Sequence, residues 1–255
     1  MHVCLFARWW AARALLDMGH PSQALARLGT APEGEDSAKA WQALQASIDL
    51  QMGRRADARA RITQGLEPLV ALQAWIGVLR DAGQLAQARA AVADARQSGA
   101  KDMALDLIAA NLALEAAQPD EALALTEPWI EGDAADSFAL RYAHAQAVSQ
   151  IQGASAAVGM MRMLHQEQPT HVGAMLHLAR WSVESDRPGA TRLAEGVVDR
   201  EPANPDALSL LGWLYHESGR HSAAVRMLER AVRAAPRDTD IADRLRRVQN
   251  RVVAP

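Results

Sequence analysis

Apolar positions along this 255-residue chain recur at helical spacing rather than at the alternation of strands. The clearest stretch runs from Pro205 to Pro236. Leu208, Leu211 and Tyr215 fall at i, i+3 and i+7, so they share one face of a helix. Gly219 then offers a residue that tolerates the left-handed conformation in which helices commonly end. Ala224, Leu228 and Ala231 follow at i, i+4 and i+7, which makes a second amphipathic helix, and Pro236 stops it. The phrase reads as helix A, turn, helix B. Gly212 lies on the buried stripe of helix A and lets helix B approach closely.

The same phrase returns along the chain. Ala24, Ala58, Ala88, Ala122, Ala157, Ala190 and Ala224 are spaced 34, 30, 34, 35, 33 and 34 residues apart. A fixed period of this size marks a repeat array. The pattern predicts helix pairs over 3–18/21–30, 37–52/54–66, 68–82/85–98, 101–117/119–131, 134–151/154–167, 171–185/188–200 and 205–218/221–234. A last helix over 238–252 is expected to cover the final pair. Gly19, Gly53, Gly83 and Gly153 mark the A–B turn, whereas the copies turning near Ala117 and Ser185 lack glycine there. Pro128 falls inside the expected helix B of the fourth copy and is expected to shorten or kink it. The polar run 30–36 is the longest expected loop and the expected mobile segment.

Ala207, Leu208, Leu211, Gly212, Tyr215, Gly219, Ala224, Leu228, Ala231 and Pro236 together resemble the tetratricopeptide repeat. The copy at 172–204 follows through Leu178, Ala179, Ala190 and Pro202, and the first five copies are degenerate. The resemblance implies a single all-α, right-handed superhelical solenoid over 1–255, with about seven helix pairs and a C-terminal capping helix. Its sections would be degenerate repeats over 1–168, well-formed repeats over 169–236 and the cap over 237–255. It further implies a concave face lined by helices A that binds peptides or proteins, and no catalysis. A narrower likeness rests on Pro202-Ala-Asn-Pro205 and Leu211-Gly-Trp-Leu-Tyr215. It points to bacterial repeat proteins of exopolysaccharide export and cell-envelope assembly.

If the repeat register holds, some residues of helix A face the groove rather than the core. These are Leu176, His177, Arg180, Glu184, Ser209, Trp213, His216 and Glu217, with Tyr142 and Gln146 as companions from an earlier copy. Trp213 is the sharpest candidate, because a groove aromatic beside an arginine makes an interaction anchor. Its competing role is packing against a neighbouring helix A. The family's carboxylate clamp uses Lys, Asn and Arg on successive helices A. Here those positions hold Leu176, Arg180, Ser209 and Trp213, so the clamp is absent from these two copies.

Composition narrows the function further. The chain is 49% hydrophobic and 22% charged with a net charge of −3, as befits a soluble folded protein. All but two of its 27 basic residues are arginine, which reads as coding bias. Cys4 is the single cysteine, so no internal disulfide forms and no multi-cysteine metal site exists. Arg8 and Arg13 interrupt the apolar region an export signal would need. The chain as written is therefore expected in the cytoplasm, and a periplasmic location would require a signal upstream. No apolar stretch approaches a membrane span of about 20 residues.

Charge is segregated. Asp102, Asp106, Glu115, Asp120, Glu121, Glu127, Glu131, Asp133 and Asp136 stand in a stretch without Lys or Arg. Nine arginines lie between Arg220 and Arg251 against four acids, with Arg244, Arg246, Arg247 and Arg251 expected on the solvated side of the last helix. Solvated helix faces account for both runs more simply than dedicated docking surfaces. Nucleic acid is a poor fit, because the basic end lacks interleaved aromatics. His165, His171 and His177 are six apart, which places no two on adjacent turns, so a metal site is not expected. Met160, Met161 and Met163 are expected to fill gaps in the fifth copy rather than form a soft contact surface.

These readings converge on a non-catalytic scaffold without cofactor or metal, binding a protein or peptide on helices A. The alternative is a structural subunit that stacks on itself, motivated by Trp9 and Trp10 in the first helix pair.

Overall fold

In the computed structural model, residues 2–30, 32, 35–97, 102–130, 132 and 136–253 are described. All regular structure among them is helical, and they form two compact units, 1–116 and 117–255.

The first unit holds α1 (His2–Asp17), α2 (Pro21–Leu28), α3 (Glu35–Gln51), α4 (Arg55–Thr63), α5 (Pro68–Asp81), α6 (Leu85–Gln97) and α7 (Met103–Glu115). The second holds α8 (Pro119–Ile130), α9 (Phe138–Gln152), α10 (Ala154–Glu167), α11 (Val172–Trp181) and α12 (Arg187–Arg200). It ends with α13 (Pro205–Glu217), α14 (His221–Ala234) and α15 (Thr239–Val253). Within each unit every helix packs on its chain neighbours, and some odd-numbered helices also touch the next odd one. Such nearest-neighbour packing is the mark of a repeat array, because no helix pair can bury its apolar face alone.

The seven marker alanines are all fully buried. A methyl group is the largest side chain that lets the two helices of a hairpin meet at this point, and a larger one would be forced off rotamer. Glycine turns repeat one hydrogen-bond pattern. His20, Arg54, Gln84 and Arg220 N–H reach back to Leu15, Asp49, Leu79 and Tyr215 carbonyls at 2.8–2.9 Å, while the preceding glycine holds φ of +70° to +79°. Where glycine is missing, Ala117 is driven to φ +54° and carries the strain.

Three expectations need correction. Helix α8 continues through Pro128 to Ile130, so the proline does not end it. Its missing N–H removes a single ladder bond, and the helix ends two residues later. Helix α11 stops at Trp181 instead of 185, because Asp186 accepts the Gly189 N–H at 2.9 Å and starts α12. Glu35 and Asp36 belong to α3, so the loop before it is shorter than expected. Ala31, Glu33 and Gly34, within the expected mobile loop, lie outside the described residues.

A candidate partner-binding face on the C-terminal unit

The odd-numbered helices α9, α11, α13 and α15 take the place of helix A in the second unit, and each starts on a side-chain cap. Ser137, His171, Asn204 and Asp238 accept from Leu140, Ala174, Ala207 and Ile241 N–H at 3.4, 3.0, 2.9 and 3.0 Å. These caps satisfy orphan donors at each helix start and fix where the helix begins. The register of the side chains that follow on each helix is set by them. His171 caps through Nδ1, so that nitrogen acts as the acceptor.

Tyr142 and His177 lie in one ring cluster. Phe138 stacks on Tyr142 at 6.1 Å, and His171 meets both at 4.7 and 5.1 Å. His177 stands 5.7 Å from Tyr142 and 5.2 Å from Trp181. Burial pushes the Tyr142 phenol up to about 12. Burial, with the Arg180 guanidinium beside it, pushes His177 down to about 4, against an opposing pull from Asp206. Gly173 is what admits Tyr142, since a Cβ there would stand 2.4 Å from the phenol oxygen. Gln146 is half-buried and donates to the Tyr142 carbonyl at 3.5 Å.

The other candidates divide. Leu176 packs against the apolar core of α11–α15. Glu184 and Glu217 are exposed. Arg180 is exposed and pairs with Asp206 of α13 at 2.6 Å. Ser209 is buried, and its hydroxyl accepts from Arg244 at 2.9 Å, so the cap helix occupies it. His216 is buried and sets its Nδ1 3.1 Å from Nδ1 of His221, one ring donating and the other accepting. Trp213 remains 36% exposed and stands at a cleft of about 470 Å³ with His216, Arg244, Arg247, Val248 and Asn250.

The cap helix is the part sequence reasoning undervalued. Arg244 is half-buried rather than solvated, while Arg246 and Arg247 are exposed as expected; the Arg251 side chain lies outside the described residues. A signal existed. Ile241, Leu245 and Val248 lie at i, i+4 and i+7, and Arg244 falls one turn from Ile241 on the edge of that stripe.

The other flagged chemistry has local employment. His165 and His144 are lowered chiefly by burial, and His144 Nδ1 meets the Thr126 hydroxyl at 3.0 Å. Of the methionines, Met161 is fully buried and Met163 exposed. Asp102 caps α7 and Glu115 pairs with Arg80, whereas Glu131 and Asp133 lie outside the described residues. Among the described residues no group of three His, Cys, Asp or Glu is placed to hold a metal, and no helix is long and apolar enough to cross a membrane.

Residues 184–247 match the family model of the tetratricopeptide repeat. That span covers α12 to most of α15, where the sequence pattern is best formed. No curated protein matches the chain. A thermophilic tetratricopeptide protein of Thermus thermophilus is 17% identical, with a TM-score of 0.57 over 68% of this chain and 95% of its own. A tetratricopeptide repeat protein of Parabacteroides merdae is 12% identical, with a TM-score of 0.62 over 96% of this chain and 99% of its own. A chain of the Cut9–Hcn1 hetero-tetramer of the APC/C is also 12% identical with a TM-score of 0.62, covering 93% of this chain and 54% of its own. At these identities the likeness establishes the fold. Residues 184–247 thus carry the tetratricopeptide repeat, and the chain shares the all-α fold of the solved tetratricopeptide-repeat structures it resembles.

Proposed function

We propose that this chain is a non-catalytic adaptor that binds a segment of a partner protein along α11, α13 and α15. The observation that carries the reading is Trp213. A large aromatic left 36% exposed beside a cleft, on a helix whose Leu208, Leu210, Leu211, Leu214 and Tyr215 are all buried, is the kind of anchor that dominates interface energetics. Arg180, His216 and Glu217 flank it on the same helices, with Tyr142, Gln146, Leu176, His177, Glu184 and Ser209 holding or extending the face. The repeat scaffold fixes these groups before binding, which limits the ordering cost of association.

Affinity capture with the full chain, from cells that make it, tests the reading. A variant carrying Trp213→Ala and Arg180→Ala should keep its helical circular dichroism and lose a defined subset of captured proteins. An unchanged set counts against the face.

A second reading is favoured by a separate observation. Phe6 and Trp10 on α1 are 70% and 58% exposed, and Trp10 meets Trp9 edge to face at 5.1 Å. Such an apolar patch suits self-association in a larger assembly, including the envelope or export systems that the repeats resemble. Light scattering over a concentration series decides it. A strictly monomeric chain sinks this reading.

A further inference from the structure

The cleft between α13 and α15 carries more positive charge than the structure compensates. Arg244 lines the cleft and donates from Nη1 to the buried Ser209 hydroxyl and carbonyl, at 2.9 and 3.4 Å, which fixes its guanidinium at the cleft wall. Arg247 lines the same cleft, is exposed, and has no ion pair or hydrogen bond among the described residues. Burial, and after it the guanidinium groups of Arg180 and Arg247, disfavour charge on Arg244, against the opposing pull of Asp240 and Asp238. The nearby acids are largely engaged. Asp206 pairs with Arg180, Asp238 accepts two N–H groups at the start of α15, and Asp243 pairs with Arg246. Asp240 sits in the first turn of α15, where the helix dipole favours a carboxylate.

We infer that this cleft binds an extended acidic segment of a partner protein, taking side-chain carboxylates on Arg244 and Arg247 and an apolar side chain on Trp213. The spacing supports it. Residues three apart on a helix hold their Cβ atoms about 5–6 Å apart. Alternate residues of an extended chain lie about 6.6 Å apart on one face, within the reach of two long guanidinium side chains. A guanidinium fork also matches a carboxylate bidentately, which sets this segment apart from a merely polar one. The residue between the two carboxylates then points to the other side of the segment, and its next apolar neighbour meets the Trp213 ring. This site is built from the cap helix, so it is separate from a clamp on successive helices A. The inference rests on the reading of this face as a partner-binding surface and gives the partner its chemistry.

The test uses the full chain and a fluorescein-labelled peptide of alternating glutamate and leucine, followed by anisotropy at low and raised salt. Binding should weaken with salt, and by about tenfold or more when glutamine replaces glutamate, the loss expected for charge-assisted contacts. Arg247→Glu and Arg247→Gln should each weaken it by about tenfold or more, since an exposed side chain without a partner can be changed without unfolding the helix. Equal binding by either variant, or by the glutamine peptide, overturns the inference. Tighter binding of an oligothymidylate than of the glutamate peptide also overturns it, in favour of nucleic acid. If the glutamate peptide does not bind at all, the inference falls. The adaptor reading is judged separately by the capture of partners that depends on Trp213 and Arg180.

Discussion

The two units spend their arginines differently. In the N-terminal unit, arginines close over buried acids. Asp49 is almost fully buried and is held by Arg54 at 2.8 Å and Arg61 at 3.1 Å, and Asp106 is held by Arg96 at 2.8 Å. Arg8 and Arg55 lie over the Trp41 and Trp75 rings, each 5.8 Å from the centroid. Among the described residues of the C-terminal unit, the buried polar side chains are Thr126, Ser182, Ser209 and His216, with no carboxylate among them. Its α9, α11, α12, α13 and α15 start on neutral or acidic side-chain caps, and its Arg141, Arg180 and Arg220 pair with carboxylates that are not buried. Ion pairs thus compensate buried carboxylates in the first unit, a need that the described residues of the second do not create.

The largest test of that contrast is to strand the buried acid. Arg54→Ala combined with Arg61→Ala should cost about 3–5 kcal/mol in urea denaturation, because Asp49 would be left buried and uncompensated. A cost within the range of ordinary surface substitutions would mean that these pairs do not compensate the buried carboxylate.

Acid should act on the other unit. His177 titrates below its unfolded value, so the unfolded chain binds more protons between about pH 6.5 and about pH 4. Stability from its burial is therefore full above that window and lost as pH falls through it, by up to about 3 kcal/mol. Half-buried His144 and His165 act in the same direction. Relative to the native chain, the denaturation midpoint of His177→Leu should rise as pH falls through this window. Parallel curves would contradict the sign.

The smallest test removes a cap. Asn204→Ala deletes the acceptor for the Ala207 N–H and should cost about 1 kcal/mol by thermal unfolding. Glu67, which precedes α5 without a side-chain cap bond, should tolerate the same change within a few tenths of that scale. Equal costs at both positions would erase the difference between the units.

Much of this architecture is legible in the chain. Most helices begin and end near the positions that periodicity gives, and the alanine period locates the points where helix B meets helix A. Pro205 and Asn204 announce the start of α13, and Gly219 its end. The misses have local causes. Helix α9 starts at Phe138 rather than 134, because Ser137 is the cap that the Leu140 N–H selects. The expected helix over 171–185 runs too long, because the helix ends at Trp181 with Ser182 as its C-cap and Asp186 already caps the next one. Among the site residues, Trp213 keeps its exposure. Ser209 and His216 do not, since each finds a partner far along the chain or across a turn.

The sequence by itself determined the helices, their pairing and the buried alanine contacts, because these depend on periodicity and side-chain volume over a single repeat. Only the tertiary structure decided which of the candidate residues remain free. Arg244 reaches Ser209 from 35 residues away, Asp206 takes Arg180 from 26, and Tyr142 enters the space left by Gly173. Those choices depend on how neighbouring repeats stack, and no pattern within one repeat encodes them.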